Sequence, residues 1–452
     1  MRHKPTDVIL RARNGDVIAF DETGLILRLS DQVIGDVAGR IGAEIPVDAD
    51  VLGDLDAWNV RRRGDWYVFD AKVPEFDHTR AFRRPVSGGD VIADAPGPVQ
   101  AVLMLGGPRV SQGYDVPVAY PGHVVAPADD LGGAGGMGTV DTRPPPGFQR
   151  MYEATQASAL GDAIVARRRA AGRSLPLILA RAESDVSAEI DTFSGGAAFG
   201  ALVGTVASLV ETAETMGKTA QVAAVVLDYG EEDVTSPPEQ VIAGLRRIIA
   251  ELRDMCHRVG MTEPVIILRA DGAERLPEQW AMAAFPPDRR VCVPGPRYAL
   301  ETDRFGRLTH NGVRRQAALD ALAVETIAAG GRWTCPNPVL AEFGSDPGTI
   351  NVVFEASEPL VIDPIDPFLA GPSAGFDVVG DTGPKEINTV SIKGNVPQTV
   401  QLTLADPNPV GPLHLSYAHN RPGSVRDGWE GALAPDADPL HRWALPARLA
   451  VH

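Results

Sequence analysis

Residues Ala101–Asp115, AVLMLGGPRVSQGYD, decide how the middle of this chain is read. The apolar run from Ala101 to Leu105 stops on Gly106 and Gly107. Such a run closed by paired glycines predicts a buried strand that ends in a sharp turn. In an open sheet of parallel strands, the turn at the carboxyl end of a strand is where ligands and nucleophiles sit. The turn here reads Gly107, Pro108, Arg109, with Ser111 and Gly113 just beyond it. Any chemistry in this chain is therefore sought first around Gly107–Gly113.

The rest of the composition bounds what that turn can belong to. At 452 residues the chain exceeds one compact core, so two or three domains are expected. Its 44% hydrophobic and 22% charged content are globular values. No unbroken apolar run of membrane-spanning length appears, so no membrane insertion is expected. The start, MRHKPTDVILRARNGD, lacks the apolar core of a signal peptide, so synthesis in a bacterial cytoplasm is expected. Lys and Arg total 42 against 59 Asp and Glu, a net charge of −17 that repels phosphate backbones and argues against nucleic acid as a partner. Cys256, Cys292 and Cys335 are far apart and form no C-x-x-C pair, which points to buried free thiols rather than a disulfide framework or a metal site. No cofactor is called for.

Taken in order, residues 1–95 read as β-rich. Asn14-Gly15 marks a hairpin between Asp7–Ala12 and Val17–Phe20, and DWYVFDAKV (65–73) is a further strand. Pro85–Pro98 reads as a linker because Gly and Pro dominate it. After the opening strand, Pro121–Phe148 reads as a long loop with a glycine-rich tip that lacks a phosphate-loop pattern. Helix and strand then alternate. Helices are predicted over Ala157–Ala171, Ala197–Met216 and Pro237–Val259, with apolar strands at Leu175–Ala180, Gln221–Asp228 and Pro264–Arg269. That alternation predicts a parallel sheet covered on both faces. From about Asn337 short Val-, Ile- and Thr-rich strands separated by Pro, Gly and Asp predict a β-sandwich.

The Gly107-Pro108-Arg109 turn with Gly113 resembles the first block of the SGNH hydrolases, in the branch of sialate O-acetylesterase-like proteins found on bacteriophage or gene transfer agent particles. Tyr229-Gly230-Glu231-Glu232-Asp233 resembles that family's third block, and DRFGRLTHNGVRR (303–315) its last. The resemblance implies an α/β fold, an SGNH (flavodoxin-like) parallel sheet flanked by helices over 97–335; the strand patterns on either side add an N-terminal β-rich attachment domain over 1–95 and a C-terminal β-sandwich over 337–452. It also implies degenerate chemistry, because Arg109 stands at the serine position and Arg307 at the histidine position. Arginine stays protonated at any ordinary pH and can serve neither as nucleophile nor as base.

Three functions follow as expectations. The first is a pseudoenzyme that binds a surface glycan, capsule or lipopolysaccharide, without cleaving it. It would be a receptor-binding spike or fibre component exposed on a phage-like particle, meeting other particle proteins through its N-terminal domain, with a homo-oligomer as a further expectation. Arg109, Tyr114, Tyr229, Glu231, Trp280 and Arg307 are its candidate glycan contacts: forked donors for hydroxyls and carboxylates beside aromatic platforms. Tyr120 and Tyr298 are further aromatic candidates at strand ends. The second is an active carbohydrate O-acetylesterase with Ser111 as nucleophile, His310 as base and Asp303 as the orienting acid. The third is a structural particle component without a ligand.

Overall fold

The structure is a computed structural model that describes residues 7–12, 15–21, 24–27, 45–53, 55–76, 78–114, 116–128, 134–135, 144, 146–151, 154–185, 189–228, 236–269, 290–409, 411–432 and 439–452. The chain divides into two compact units, Met1–Asp94 and Ala95–His452.

In the first unit, β1 (Asp7–Ala12), β2 (Gly15–Asp21) and β3 (Gly24–Leu27) form an antiparallel meander. A second antiparallel sheet runs β4 (Ile45–Pro46), β5 (Ala57–Arg63), β6 (Trp66–Ala71), β7 (Arg80–Pro85) and β8 (Ile92–Ala93) in that order. Phe69, Phe82 and Ile92 fill its core. Arg83 is buried with them, its guanidinium paired with Asp94 and 5.4 Å from the Trp66 ring. The stretch expected as a linker thus holds a strand. Ile92 and Ala93 pair with Arg83 and Phe82 and are fully buried.

The second unit starts with β9 (Val99–Gly106), the opening strand of the sequence reading, followed by β10 (Gly113–Tyr114), β11 (Val124–Pro127), β12 (Ala134–Gly135), β13 (Phe148–Arg150) and β14 (Ala154–Thr155). Then come α1 (Gln156–Ala170), β15 (Leu177–Ser184), α2 (Ile190–Phe193), α3 (Ala197–Thr215), β16 (Ala220–Asp228), α4 (Pro238–Arg258), β17 (Val265–Leu268), β18 (Val291–Cys292) and α5 (His310–Ala328). The sheet order is β13-β11-β15-β9-β16-β17-β18, with β12 added to β15. Strands β11 to β18 along that order pair in parallel, whereas β13 is antiparallel to β11. Helix α4 presents Val241, Leu245, Ile248, Ile249, Leu252 and Met255 to the core, as its spacing predicts. The segment Ile190–Thr215 is long and apolar enough by composition to cross a membrane, but half of that window is buried within the fold. Cys256, Cys292 and Cys335 are buried free thiols.

The remainder is antiparallel almost throughout. It comprises β19 (Asn337–Phe343), β20 (Thr349–Glu355), β21 (Leu360–Ile362), β22 (Phe376–Gly380), β23 (Gly383–Lys385), β24 (Ile387–Ile392), β25 (Thr399–Leu404), β26 (Leu413–Tyr417), β27 (Val425–Gly431), β28 (Leu440–Trp443) and β29 (Ala447–Val451). An eight-stranded sheet ordered β23-β22-β26-β29-β19-β20-β25-β24 accompanies a three-stranded sheet β21-β27-β28. Ile350, Val352, Phe376, Leu402 and Tyr417 of the large sheet share one core with Leu360 and Val425 of the small one.

These elements correct the expected fold class. The molecule is β-rich, 37% strand against 25% helix, and large sheets dominate it; it is not an SGNH (flavodoxin-like) α/β chain. The helix–strand alternation that suggested that class is confined to residues between β14 and α5. On both sides of it, strands that follow one another in sequence pair antiparallel, as in β1–β2 and β19–β20. Even the central sheet carries an antiparallel edge in β13.

Candidate functional site

The carboxyl end of β9 lies between the ends of β15 and β16, because Gly106 pairs with both Ser184 and Asp228. Backbones crowd here. A Cβ on Gly106 would stand 2.1 Å from the Asp228 carbonyl oxygen, so only glycine closes this strand. Gly107 N–H donates to that same oxygen at 3.2 Å, which pins the turn to β16. Pro108–Ser111 then forms one turn of 3-10 helix that carries Arg109 back over the strand ends.

Arg109 Nη2 meets Asp228 Oδ1 at 2.8 Å, and both side chains are largely shielded from solvent. The backbone oxygen of Arg109 accepts from Gln156 Nε2 at 3.0 Å, fixing the turn against the start of α1. Ser111 Oγ donates to Ser184 Oγ at 2.7 Å, and Ser184 is fully buried. Among the described residues no hydrogen bond joins Ser111 to His310, which is exposed at the first position of α5.

A narrow cleft opens beside this pair, lined by Arg109, Gln112, Gln156, Asp228, Arg269 and Arg297 among others. Its cavity volume is about 10 Å³, room for one water-sized group. Arg269 is locked from behind by Asp320 through two parallel bonds of 2.7 Å each. Burial works against that guanidinium's charge, but the Asp320 carboxylate outweighs it and raises its pKa further. Among the described residues, Arg109, Arg269 and Arg297 bring three guanidiniums to the cleft and Asp228 and the backing Asp320 two carboxylates. Gln156 Oε1 is buried there without a hydrogen-bond partner among the described residues.

Tyr114 stands at the edge of this field. Burial, with Asp228 helping, pushes its phenol up to about 12 against the pull of Arg297 and Arg307. It therefore stays protonated at neutral pH, and its buried hydroxyl has no hydrogen-bond partner among the described residues. The turn 303–307 reaches the same neighbourhood, since Arg297 Nη2 donates to Gly306 O at 2.7 Å and Asp303 and Arg307 both act on Tyr114.

In that turn Asp303 accepts from the backbone N–H of Phe305 at 2.8 Å and of Arg307 at 3.0 Å, and it pairs with the Arg307 guanidinium at 2.8 Å. Desolvation pushes the other way, but these donors hold the Asp303 carboxyl below its usual range. It orients its own turn rather than an imidazole. Phe305 protrudes between Arg304 and Arg307, 66% exposed, with the two guanidiniums 4.6 and 5.2 Å from its ring.

The structure thus gathers Arg109, Tyr114, Asp303 and Arg307 around one strand end. It leaves Ser111 and His310 with separate surroundings. Tyr229, Glu231 and Trp280 lie outside the described residues. Tyr298 is half-buried against the core of the following sheets, its hydroxyl donating to Ala444 O at 2.6 Å. Sequence reasoning missed Asp228, Arg269, Gln156, Arg297 and Phe305. An acid closing the apolar run QVAAVVLD was the one visible signal for Asp228. Among the described residues no cluster of His, Cys, Asp and Glu could hold a metal ion.

No family model and no curated protein matches the chain. Among solved structures it is similar to a carbohydrate acetylesterase from Xanthomonas citri, at 16% identity over 86% of this chain and 89% of that one, TM-score 0.42. A protein from Arabidopsis thaliana matches at 14% identity over 50% of this chain and 98% of that one, TM-score 0.34. A tail fibre protein of an Escherichia coli phage matches at 10% identity over 77% of this chain and 39% of that one, TM-score 0.28. These are faint likenesses of fold, and none assigns an activity, a partner or a location to this chain.

Proposed function

We propose that this protein recognises carbohydrate at the end of β9 and does not cleave it. One observation carries the reading: the Arg109–Asp228 pair occupies the strand-end turn, where catalysis would need a nucleophile activated by a base. The nearest hydroxyl, Ser111, is hydrogen-bonded to another serine, which cannot take its proton at neutral pH. The cleft admits a single polar substituent of a sugar and not its ring. Its guanidiniums suit an anionic substituent, such as the carboxylate of an acidic sugar, held by forked donors. Phe305, exposed in the neighbouring turn, supplies a stacking face. A capsule or lipopolysaccharide glycan as ligand belongs to the same proposal. So does a spike or fibre setting on a phage-like particle, with residues 1–95 meeting other particle proteins.

A glycan array probed with the full-length protein tests it, alongside hydrolysis of p-nitrophenyl acetate. Retention of acidic glycans that drops about tenfold or more in Arg109→Ala, without ester turnover, is the expected result. Turnover that disappears in both Ser111→Ala and His310→Ala would restore the esterase reading. No retention of any glycan would leave a structural component.

A further inference from the structure

Far along the chain from the β9 cleft, a shallow, open groove of about 610 Å³ is lined by residues 343–349, from the end of β19 to the start of β20, and by residues 407–409 and Gly411, between β25 and β26. Phe343, Ser345, Asp346, Pro347, Asn408 and Pro409 line it.

The walls are built, not loose. A Cβ on Gly344 would meet Thr349 Oγ1 at 2.1 Å, and one on Gly348 would meet Pro407 Cα at 2.8 Å. Gly348 also has φ +71°, a conformation that favours glycine. Thr349 Oγ1 donates to Asp346 O at 2.7 Å, Leu404 N–H to Gly348 O at 2.8 Å, and Asn408 N–H to Asp406 Oδ1 at 2.9 Å. The two loops are therefore locked to each other and the groove is preformed.

Its chemistry is mixed in a particular way. The Phe343 ring is 45% exposed at the end of its strand, an apolar plate on a polar surface. The Asp346 carboxylate and the Asn408 amide have no hydrogen-bond partners among the described residues. A pyranose matches this set: one face is an array of C–H bonds that stacks on an aromatic ring, and its rim carries hydroxyls. A carboxylate accepts two of those, and an amide both donates and accepts. Among the described residues the lining holds no cation and one anion, so it disfavours acidic ligands.

We infer that this groove is a binding site for a neutral or amino-sugar segment of an oligosaccharide, with Phe343 as stacking platform and Asp346 and Asn408 as hydroxyl partners. It does not depend on the reading of the β9 cleft.

Calorimetric titration of the full-length protein with maltotriose, cellotriose and chitotriose tests it, with urea unfolding run in parallel. At least one trisaccharide is expected to bind with a dissociation constant of about 1 mM or below, weakened about tenfold or more by Phe343→Ala and by Asp346→Ala. Arg109→Ala leaves that binding unchanged, and the unfolding midpoints of the groove variants stay within error of the parent. Absence of binding by all three sugars overturns the inference. So does binding that survives both groove substitutions, or a Phe343→Ala loss that Phe343→Tyr does not rescue.

Discussion

Two residues show how tightly the strand end is specified. Gly106 has no space for a methyl group against the Asp228 carbonyl. Gly106→Ala is therefore expected to cost more than about 3 kcal/mol, since backbone and not a movable side chain must shift. Urea unfolding reads this directly, and a variant as stable as the parent would mean that β9 and β16 approach differently. Asp320 backs Arg269 with its carboxylate only 2% exposed. Removing it leaves a buried guanidinium without its counter-ion, so Asp320→Ala is expected to lose about 3–5 kcal/mol. The Tyr114 hydroxyl is buried and unpartnered among the described residues, so Tyr114→Phe should leave stability equal or slightly higher in urea unfolding.

At the scale of elements, α1 illustrates a pH dependence that its sequence hides. Asp162 on this helix accepts from the backbone N–H of Ala119 at 2.8 Å and of Tyr120 at 3.1 Å, yet burial outweighs those donors and raises its carboxyl from 3.8 to about 6. The folded state therefore holds a proton that the unfolded state releases. The stability from that proton is complete below about pH 4 and is lost as pH rises through about 6. Asp162→Asn removes this dependence. Its stability relative to the parent should rise by about 2–3 kcal/mol between pH 4 and pH 8, read as the difference in urea midpoints. An unchanging difference would contradict the burial argument.

The elements also show what a sequence discloses. The apolar stripe of α4 and the buried runs of β9 and β16 were legible because periodicity and hydrophobicity coincide there. Strands β8 and β11 were not, being short pieces inside Gly- and Pro-rich stretches whose burial comes from distant partners. For the site, the Gly107–Gly113 turn was legible as a place. The partner of Arg109 was not, because Asp228 lies 119 residues away and reaches it through sheet pairing alone. Phe305 sat in a turn that had been read for its charged neighbours, so its exposure was invisible.

At the scale of the molecule, the helix-bearing part and the following sheets of the second unit share interior residues. Tyr298 donates to Ala444 O and lies 3.3 Å from the Tyr417 hydroxyl, which itself accepts from Val425 N–H at 3.0 Å. Trp333 packs edge-on against Trp429 at 5.0 Å, and Arg442 lies within 5.8 Å of both rings while pairing with buried Asp427. Residues Ala95–His452 are thus expected to unfold in one transition, with Trp fluorescence and far-ultraviolet circular dichroism coinciding. Tyr298→Phe should lower its stability by about 1–2 kcal/mol without splitting that transition, whereas two separated transitions within residues 95–452 would refute a common interior.

The central claim is recognition without bond cleavage at a strand end occupied by an ion pair. Calorimetric titration of an O-acetylated uronic-acid oligosaccharide into the full-length protein reads binding and hydrolysis in one cell. The expected result is a saturable binding heat, no continuing heat of ester hydrolysis, and loss of the binding heat in Arg109→Ala. A sustained heat of hydrolysis that Ser111→Ala abolishes would contradict it.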